Sequence, residues 1–137
     1  MLKQFGWNKF FRDSFKSYLK TSCVPGRISQ EHNKFYRVAT EKGELLATLR
    51  GKYRYRAKEQ EKLPVVGDWV VVETRKSQGT AIIKDVLPRK NKLSRKLPGK
   101  QKREQILVAN VDIVFLVQSL VNDFNIRRIE RALSIIN

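Results

Sequence analysis

VVGDWVVVETRKSQGTAIIKDVLPRKNKLSR, residues 65–95, is the stretch that decides the fold. The runs Trp69–Thr74 and Ala81–Leu87 are rich in β-branched and aromatic residues, and the polar loop between them ends in glycine. This combination predicts a β-hairpin. Pro88 lacks a backbone N–H and is therefore expected to end the second strand. Basic residues follow at once, so the sequence predicts an apolar hairpin that leads into a cationic tail.

Three further strands are predicted between residues 26 and 58. Gly26–Ser29 and Phe35–Thr40 flank a polar turn at residues 30–33, and a third run begins at Glu44 and extends to about Lys58. Five short strands with frequent turn signals predict a mostly β protein built on a five-stranded Greek-key barrel of the OB-fold type. An SH3-like barrel is the alternative that the pattern leaves open.

Helices are predicted at both ends of the chain. Residues 7–19, WNKFFRDSFKSYL, place aromatic side chains at helical spacing, which predicts an amphipathic helix packed on the barrel, with a membrane-surface helix as the alternative. Val111–Val117 is apolar almost throughout and predicts a strand buried on both faces. Apolar residues at helical spacing from Ile126 to Ile136 predict a helix after it. This β-α unit needs neighbouring strands, so we expect a fragment or truncated relative of a longer protein.

These elements predict three regions of the chain. Residues 1–23 form the N-terminal helix, residues 24–103 an OB-fold-like domain, and residues 104–137 the start of an incomplete α/β domain. The OB-fold-like domain is predicted to end in a basic loop at residues 89–103. That stretch shows neither helix nor strand periodicity, and such a loop gains order on a polyanion.

The net charge is extreme for a chain of this size. Its formal value is +16 over 137 residues, and most of the excess falls in residues 50–62 and 84–103. So many like charges repel one another and destabilise the compact state, which indicates that the chain has an anionic partner. Nucleic acid is the usual partner of this kind, and an anionic membrane is the rival. The single cysteine excludes an internal disulfide, and no apolar run approaches the roughly 18 residues of a membrane span. We therefore expect a soluble cytoplasmic protein without a membrane partner.

Alternation in the third predicted strand separates cations from apolar residues. Because side chains of a strand point alternately to opposite faces, the even positions from 50 to 58 would form a comb of cations on one face. Such a comb follows a phosphate backbone, and two tyrosines are placed to stack on bases; a merely solvated face is the alternative. The candidates in this strand are Arg50, Lys52, Tyr53, Arg54, Tyr55, Arg56 and Lys58. A second set reaches the ligand from the basic loop and comprises Arg89, Lys90, Arg95 and Lys96.

Four motifs, in order along the chain, resemble one known family. They are VGDWV at 66–70, VLPRK at 86–90, VANVD at 108–112 and NIRRIER at 125–131. Together with the change from a β-domain to an α/β unit, they resemble the N-terminal part of the ribosome small-subunit-dependent GTPase A family over roughly residues 24–137. The members of this family are bacterial circularly permuted GTPases of ribosome biogenesis.

The resemblance implies an OB-fold that binds ribosomal RNA of the small subunit, a GTPase domain that begins near Ala109, and a C-terminal zinc-binding module. It implies a role late in small-subunit maturation, and GTP, magnesium and zinc for a full-length member. The sequence departs from the family in lacking a G-x-x-x-x-G-K-[ST] phosphate loop and an Asn-Lys-x-Asp motif. We therefore expect this chain alone to have no catalytic residue, cofactor or metal, and to hydrolyse no GTP. The alternative is a stand-alone basic nucleic-acid-binding or protein-interaction module, and an exposed C-terminal unit would permit self-association.

Overall fold

The computed structural model describes residues 2–51, 63–74, 80–96, 104–119 and 124–136, and it contains a closed five-stranded barrel. The strands are β1 (Cys23–His32), β2 (Phe35–Thr40), β3 (Gly43–Leu49), β4 (Trp69–Glu73) and β5 (Ala81–Val86). They follow the order β1-β2-β3-β5-β4 around the barrel, and β4 pairs again with β1. The β3–β5 pair is parallel, whereas the other four pairs are antiparallel. This is the Greek-key arrangement of the OB fold, so the predicted fold class is confirmed.

The hairpin predicted from the stretch 65–95 forms from β4 and β5. β2 has the predicted bounds. β1 is longer than predicted, because residues 30–32 continue its ladder with β2. The turn falls instead on Asn33, whose φ of 52° lies in the left-handed region that asparagine tolerates.

The third strand is shorter than predicted, since β3 ends at Leu49 and not near Lys58. β2 begins opposite Thr48, and the parallel pairing with β5 extends only to Leu49. A strand persists only where a neighbour accepts its backbone hydrogen bonds, and no described strand offers a partner beyond Leu49. Residues 52–62 lie outside the described ranges.

Alternate side chains of the strands form the barrel core. The buried members of this core are Ile28, Tyr36, Val38, Ala47, Val70, Val72, Ala81 and Ile83. β4 is buried on both faces, because Val70 and Val72 belong to the core whereas Trp69 and Val71 belong to a second cluster outside it. Burying one large apolar side chain contributes about 1.5–3 kcal/mol, so β4 is anchored from both sides.

The N-terminal helix α1 (Lys9–Phe15) begins after a 3-10 turn at Leu2–Phe5 and ends in another at Lys16–Tyr18. Asn8 caps the helix, since its side-chain oxygen accepts a hydrogen bond from the Phe10 N–H at 3.0 Å. This cap satisfies one of the backbone donors that a helix start leaves without a partner.

An aromatic cluster attaches α1 to the outside of β4. Phe11 and Phe15 are buried against Trp69 and Val71, and the ring centroids of Trp7 and Trp69 lie 4.6 Å apart. Aromatic pairs at such distances add about 0.5–1.5 kcal/mol to the burial of their area. The prediction of a helix packed on the barrel is confirmed.

Past the barrel, β6 (Lys92–Lys96) and β7 (Glu104–Ala109) form a separate two-stranded antiparallel sheet, the basic hairpin. The prediction of a loop at 89–103 is therefore wrong for residues 92–96. Cations on both faces of β6 hide the strand period, and the pairing with β7 supplies the hydrogen bonds that local sequence does not reveal. This pairing crosses the boundary predicted between residues 103 and 104, and the division into three regions stays a prediction.

The predicted C-terminal helix is present as α2 (Ile126–Ile136). The strand predicted at Val111–Val117 is absent: these residues have no regular secondary structure, and Phe115 and Val117 are 83% and 89% exposed. A strand buried on both faces needs a sheet around it. Within the described ranges, no strand pairs with this segment.

Candidate nucleic-acid interface

The side of β1, β2 and β3 that points away from the core, here called the outer face, mixes aromatic, aliphatic and cationic groups. In the strand register, Phe35 lies beside His32, and Arg37 lies between Gln30 and Leu46. Phe35 is 46% exposed and Leu46 is 42% exposed. The exposed apolar groups thus sit in line with an arginine.

Two concave areas lie on the outer face. A cleft of about 220 Å³ is lined by Gln30, His32, Phe35, Arg37 and Leu46. An open depression of about 600 Å³ at the β1–β2 turn is lined by His32, Asn33, Lys34 and Phe35. A flat aromatic ring beside a guanidinium and an ammonium group suits a nucleotide, because the base stacks on the ring and the phosphates meet the cations. OB folds use their second and third strands and the β1–β2 loop for such contacts.

One acidic residue, Glu44, modifies the charge of the outer face. The Arg37 guanidinium lies 2.8 Å from the Glu44 carboxylate, and both side chains are largely exposed. An exposed ion pair contributes about 0–1 kcal/mol, so a phosphate group competes readily with Glu44 for Arg37. Glu31, near the end of β1, lies opposite the core residue Tyr36 and therefore on the other side of the strand from the outer face. Partial desolvation disfavours its carboxylate and raises its pKa.

One cation of the basic hairpin is neutralised by a cross-strand carboxylate. The Lys92 ammonium lies 2.6 Å from Glu104, and the Ser94 hydroxyl also donates to this carboxylate. The hydrogen bond from Lys92, followed by that from Ser94, lowers the pKa of Glu104 below its ordinary value of 4.5. Both side chains are nearly half exposed, so this pair, like that of Arg37 and Glu44, contributes about 0–1 kcal/mol.

Three of the four cations predicted in the basic loop lie at the surface. Lys90, Arg95 and Lys96 are exposed. Arg95 donates from Nε to the Gln105 side-chain oxygen at 2.9 Å, and this neutral partner does not offset its positive charge. These three residues place cationic groups on or beside the hairpin, where they are accessible to a polyanion.

Arg89, the fourth predicted cation, points inward. Its Nε and Nη2 each donate to the fully buried Asp68 carboxylate at 2.7 Å, and Nη2 also donates to the Leu63 carbonyl at 3.1 Å. Asp68 accepts a further bond from the Val65 N–H at 2.9 Å. Such a two-pronged, charge-assisted pair is strong and directional. The structure thus gives Arg89 a structural role, because it joins the chain before β4 to the chain after β5.

The predicted comb of cations is described at one position only. Arg50 is exposed immediately after β3. Lys52, Tyr53, Arg54, Tyr55, Arg56 and Lys58 lie outside the described residues. Their nucleic-acid contacts stay a prediction.

Sequence reasoning missed the outer face. The sequence predicts a strand at Phe35–Thr40, but this prediction does not include the alternation of exposed Phe35 and Arg37 with buried Tyr36 and Val38. That alternation is the signal, since the large aromatic residue falls on the same side as a cation. The partner Leu46 has no comparable signal, because its position depends on the register between β2 and β3.

Among the described residues, no cluster of side chains suits the metal ions that the family resemblance implies. In the ranges that the structure describes, no three His, Cys, Asp or Glu side chains come close enough together to hold a metal ion. The sequence contains no phosphate loop for a nucleotide. Of the helices in the described part of the chain, none has the length and apolarity needed to cross a bilayer.

Fold and surface define an OB-fold barrel with an attached basic hairpin. Residues 25–83 match the model of the RsgA N-terminal domain, and residues 86–137 match that of the RsgA GTPase. Proteins named small ribosomal subunit biogenesis GTPase RsgA, from Opitutus terrae and Syntrophotalea carbinolica, are each 37% identical to this chain over 98% and 99% of its residues. The chain belongs to the RsgA family and corresponds to the N-terminal portion of its members.

This chain is shorter than those relatives, since the match covers 39% of the length of each of the two proteins. The solved structure of YloQ, described as a circularly permuted GTPase, shares the fold with a TM-score of 0.52. It is 23% identical in sequence, and the match covers 81% of this chain and 35% of YloQ.

Proposed function

We propose that this chain is the RNA-binding N-terminal portion of a GTPase that assists late maturation of the small ribosomal subunit. The observation that carries the proposal is the closed OB barrel, matched by the RsgA N-terminal domain, whose outer face combines an exposed aromatic ring with cations. The names of the curated relatives refer to the small ribosomal subunit, so its ribosomal RNA is the proposed ligand.

The outer face supplies the base contact in this proposal. Phe35 stacks on an unpaired base, and Arg37 and Lys34 meet the phosphates on either side of it. Stacking of a base on an aromatic side chain contributes about 1–3 kcal/mol. The outer face would therefore favour RNA with unpaired nucleotides over a regular duplex.

Phosphate contacts from two further sets of cations extend the proposed surface. Lys90, Arg95 and Lys96 are exposed on or beside the basic hairpin. Arg50 and the cations of residues 52–58 are included on the strength of their spacing in the sequence. Contacts of this kind add affinity without sequence preference.

The first test is the affinity of the chain for a small-subunit ribosomal RNA transcript, measured by fluorescence anisotropy between about 50 and 200 mM salt. A protein that makes about six phosphate contacts loses on the order of 10³ in affinity over this range. A large-subunit transcript and a regular duplex of equal length serve as controls. Absence of binding, or equal affinity for all three nucleic acids, would overturn the proposal.

A matched pair of aromatic substitutions tests the base contact. Phe35→Ala should weaken binding at least about fivefold, which corresponds to the lower end of the stacking contribution. Phe10→Ala removes a similarly exposed ring, 43% against 46%, from α1 and should leave the affinity unchanged. Equal affinities of the two variants would exclude stacking on Phe35.

A second pair tests the cations of residues 50–58. Replacing Arg54 and Arg56 with Glu should weaken RNA binding far more than the same change at Arg127 and Arg131, two exposed arginines of α2. All four substitutions change the net charge equally, so a general electrostatic effect predicts equal losses.

The remaining parts of the proposal concern the whole protein. GTP hydrolysis with magnesium, a zinc-binding module and a cytoplasmic location are proposed for the full-length family member, and no step of RNA binding by this chain depends on them. Self-association through the exposed segment Ile113–Val117 is also proposed, and sedimentation velocity at increasing concentration tests it.

A further inference from the structure

Three chain segments meet around the Arg27 side chain, which projects from β1. Its Nε donates to the Gly67 carbonyl at 3.2 Å, its Nη2 donates to the Asn110 carbonyl at 2.7 Å, and its Nη1 donates to the Phe5 carbonyl. These acceptors belong to the turn before β4, the chain after β7 and the N-terminal 3-10 turn. One planar guanidinium thus ties the barrel, the hairpin and the N-terminus together.

Asn110 completes this joint from the side of the hairpin. It has a left-handed φ of 55°, its side-chain oxygen accepts from the Lys90 N–H at 2.8 Å, and its Nδ2 donates to the Gly67 carbonyl at 3.1 Å. The Ala109 N–H donates to the Val66 carbonyl at 3.0 Å. The hairpin is therefore hydrogen-bonded to the barrel through both backbone and side chain.

Gly67 permits the close approach of the two parts. A Cβ atom at this position would lie 2.0 Å from the Ala109 carbonyl oxygen, and the φ of Gly67 is +89°. Any side chain here would push the hairpin away from the barrel. The contact is thus built from a glycine, an arginine and an asparagine that act together.

The joint lies at one end of the outer face. In the register of β1 and β2, Arg27 pairs with Ala39, four residues along β2 from Phe35, a distance of about 13 Å along the strand. Lys90 is exposed and lines the same small cavity, of about 20 Å³, as Arg27. The joint therefore places Lys90, a cation beside the basic hairpin, where the outer face ends.

We propose that Arg27 is a positioning residue that holds the basic hairpin on the barrel, so that Lys90 extends the outer face into one continuous RNA-binding surface. The part of this inference that concerns RNA binding rests on the proposed function. Arg27 itself is half-buried, and three of its five N–H groups are engaged by carbonyl oxygens. It acts through Lys90 rather than by touching a phosphate.

Hydrogen exchange tests the joint without RNA. Arg27→Met should speed exchange of the Ala109 amide by at least about tenfold, because three charge-assisted hydrogen bonds are lost, while the amides of β4 stay protected. Arg27→Lys should behave in the same way, since one ammonium cannot reach three separated carbonyls. Arg37→Met removes an exposed arginine from the same face and is the control. Normal Ala109 protection in both Arg27 variants would overturn the positioning role.

A double-mutant cycle tests the RNA half. Lys90→Gln should reduce the slope of log affinity against log salt by about 1. In the Arg27→Met background, Lys90→Gln should not reduce this slope further, because Lys90 is no longer positioned beside the outer face. Multiplicative losses would show that Arg27 contacts RNA independently and would overturn the inference. If the unmodified chain binds no small-subunit RNA, the proposed function fails, and the part of the inference that concerns RNA fails with it. The hydrogen-exchange experiment tests separately whether Arg27 holds the hairpin on the barrel.

Discussion

Replacing Gly67 with alanine should separate the barrel from the hairpin and lower the free energy of unfolding. The new Cβ would lie 2.0 Å from the Ala109 carbonyl oxygen, so one of the two segments must move. Overpacking of this kind costs about 1–3 kcal/mol. Moving Ala109 also breaks its hydrogen bond to Val66, worth about 0.5–1.5 kcal/mol. The positive φ of +89° adds about 1–2 kcal/mol of backbone strain.

Gly43→Ala is the matched control for this substitution. Gly43 also has a positive φ, +116°, but a Cβ there would meet nothing within 4 Å. Both alanine variants therefore carry the strain of a positive φ, and the reduced entropy of the unfolded chain is the same in each. Gly67→Ala should lower the free energy of unfolding by about 2–4 kcal/mol more than Gly43→Ala does.

Equilibrium urea denaturation, followed by far-UV circular dichroism, measures this difference. Amide NMR spectra of the Gly67→Ala variant should show shifts concentrated in residues 104–110. Equal destabilisation by the two alanine substitutions would refute the reasoning, because it would mean that the close contact between Gly67 and Ala109 does not constrain the chain in solution.

Three further predictions test other parts of the structure. Arg89→Met should lower the free energy of unfolding by about 3–5 kcal/mol in urea denaturation, because it leaves Asp68 buried without its partner, whereas the exposed Arg95→Met should cost under about 1 kcal/mol. The pKa of Glu104 is lower in the folded than in the unfolded chain, so its contacts stabilise the hairpin fully above about pH 4.5. This stabilisation is lost as the pH falls through the lower pKa of the folded chain. Amide exchange in β7 should show this pH dependence, and Glu104→Gln should abolish it. Phe11→Ala should cost about 3–5 kcal/mol and reduce the near-UV circular dichroism of the aromatic cluster, and full retention of that signal would contradict the packing of α1.

The barrel was predictable because its decisive signals are local. The β-branched run at β4, the glycine-ended loop after it and Pro88 all act within a few residues of the strands that they bound. The packed face of α1 also follows from local periodicity, since Phe11 and Phe15 are one helical turn apart. In these segments, local propensity and tertiary structure agree.

The remaining features depend on partners that are distant in sequence. The end of β3 at Leu49 depends on where β2 begins and on how far the pairing with β5 extends. The alternation of cationic and apolar residues after Leu49 contains no information about either. Arg89 reads as one more surface cation until Asp68, 21 residues earlier, is seen to be buried beside it. Charge in a sequence predicts exposure on average, and only the fold shows which cation is matched by an internal carboxylate.

The aromatic cluster has a practical consequence for spectroscopy. The chain contains two tryptophans, Trp7 and Trp69, and both belong to the cluster between α1 and β4. Intrinsic tryptophan fluorescence therefore reports on the contact between the N-terminal helix and the barrel. Tryptophan emission that changes at lower denaturant than the far-UV circular dichroism would show that this helix detaches from an intact barrel. The two native tryptophans would then report the detachment without an added label.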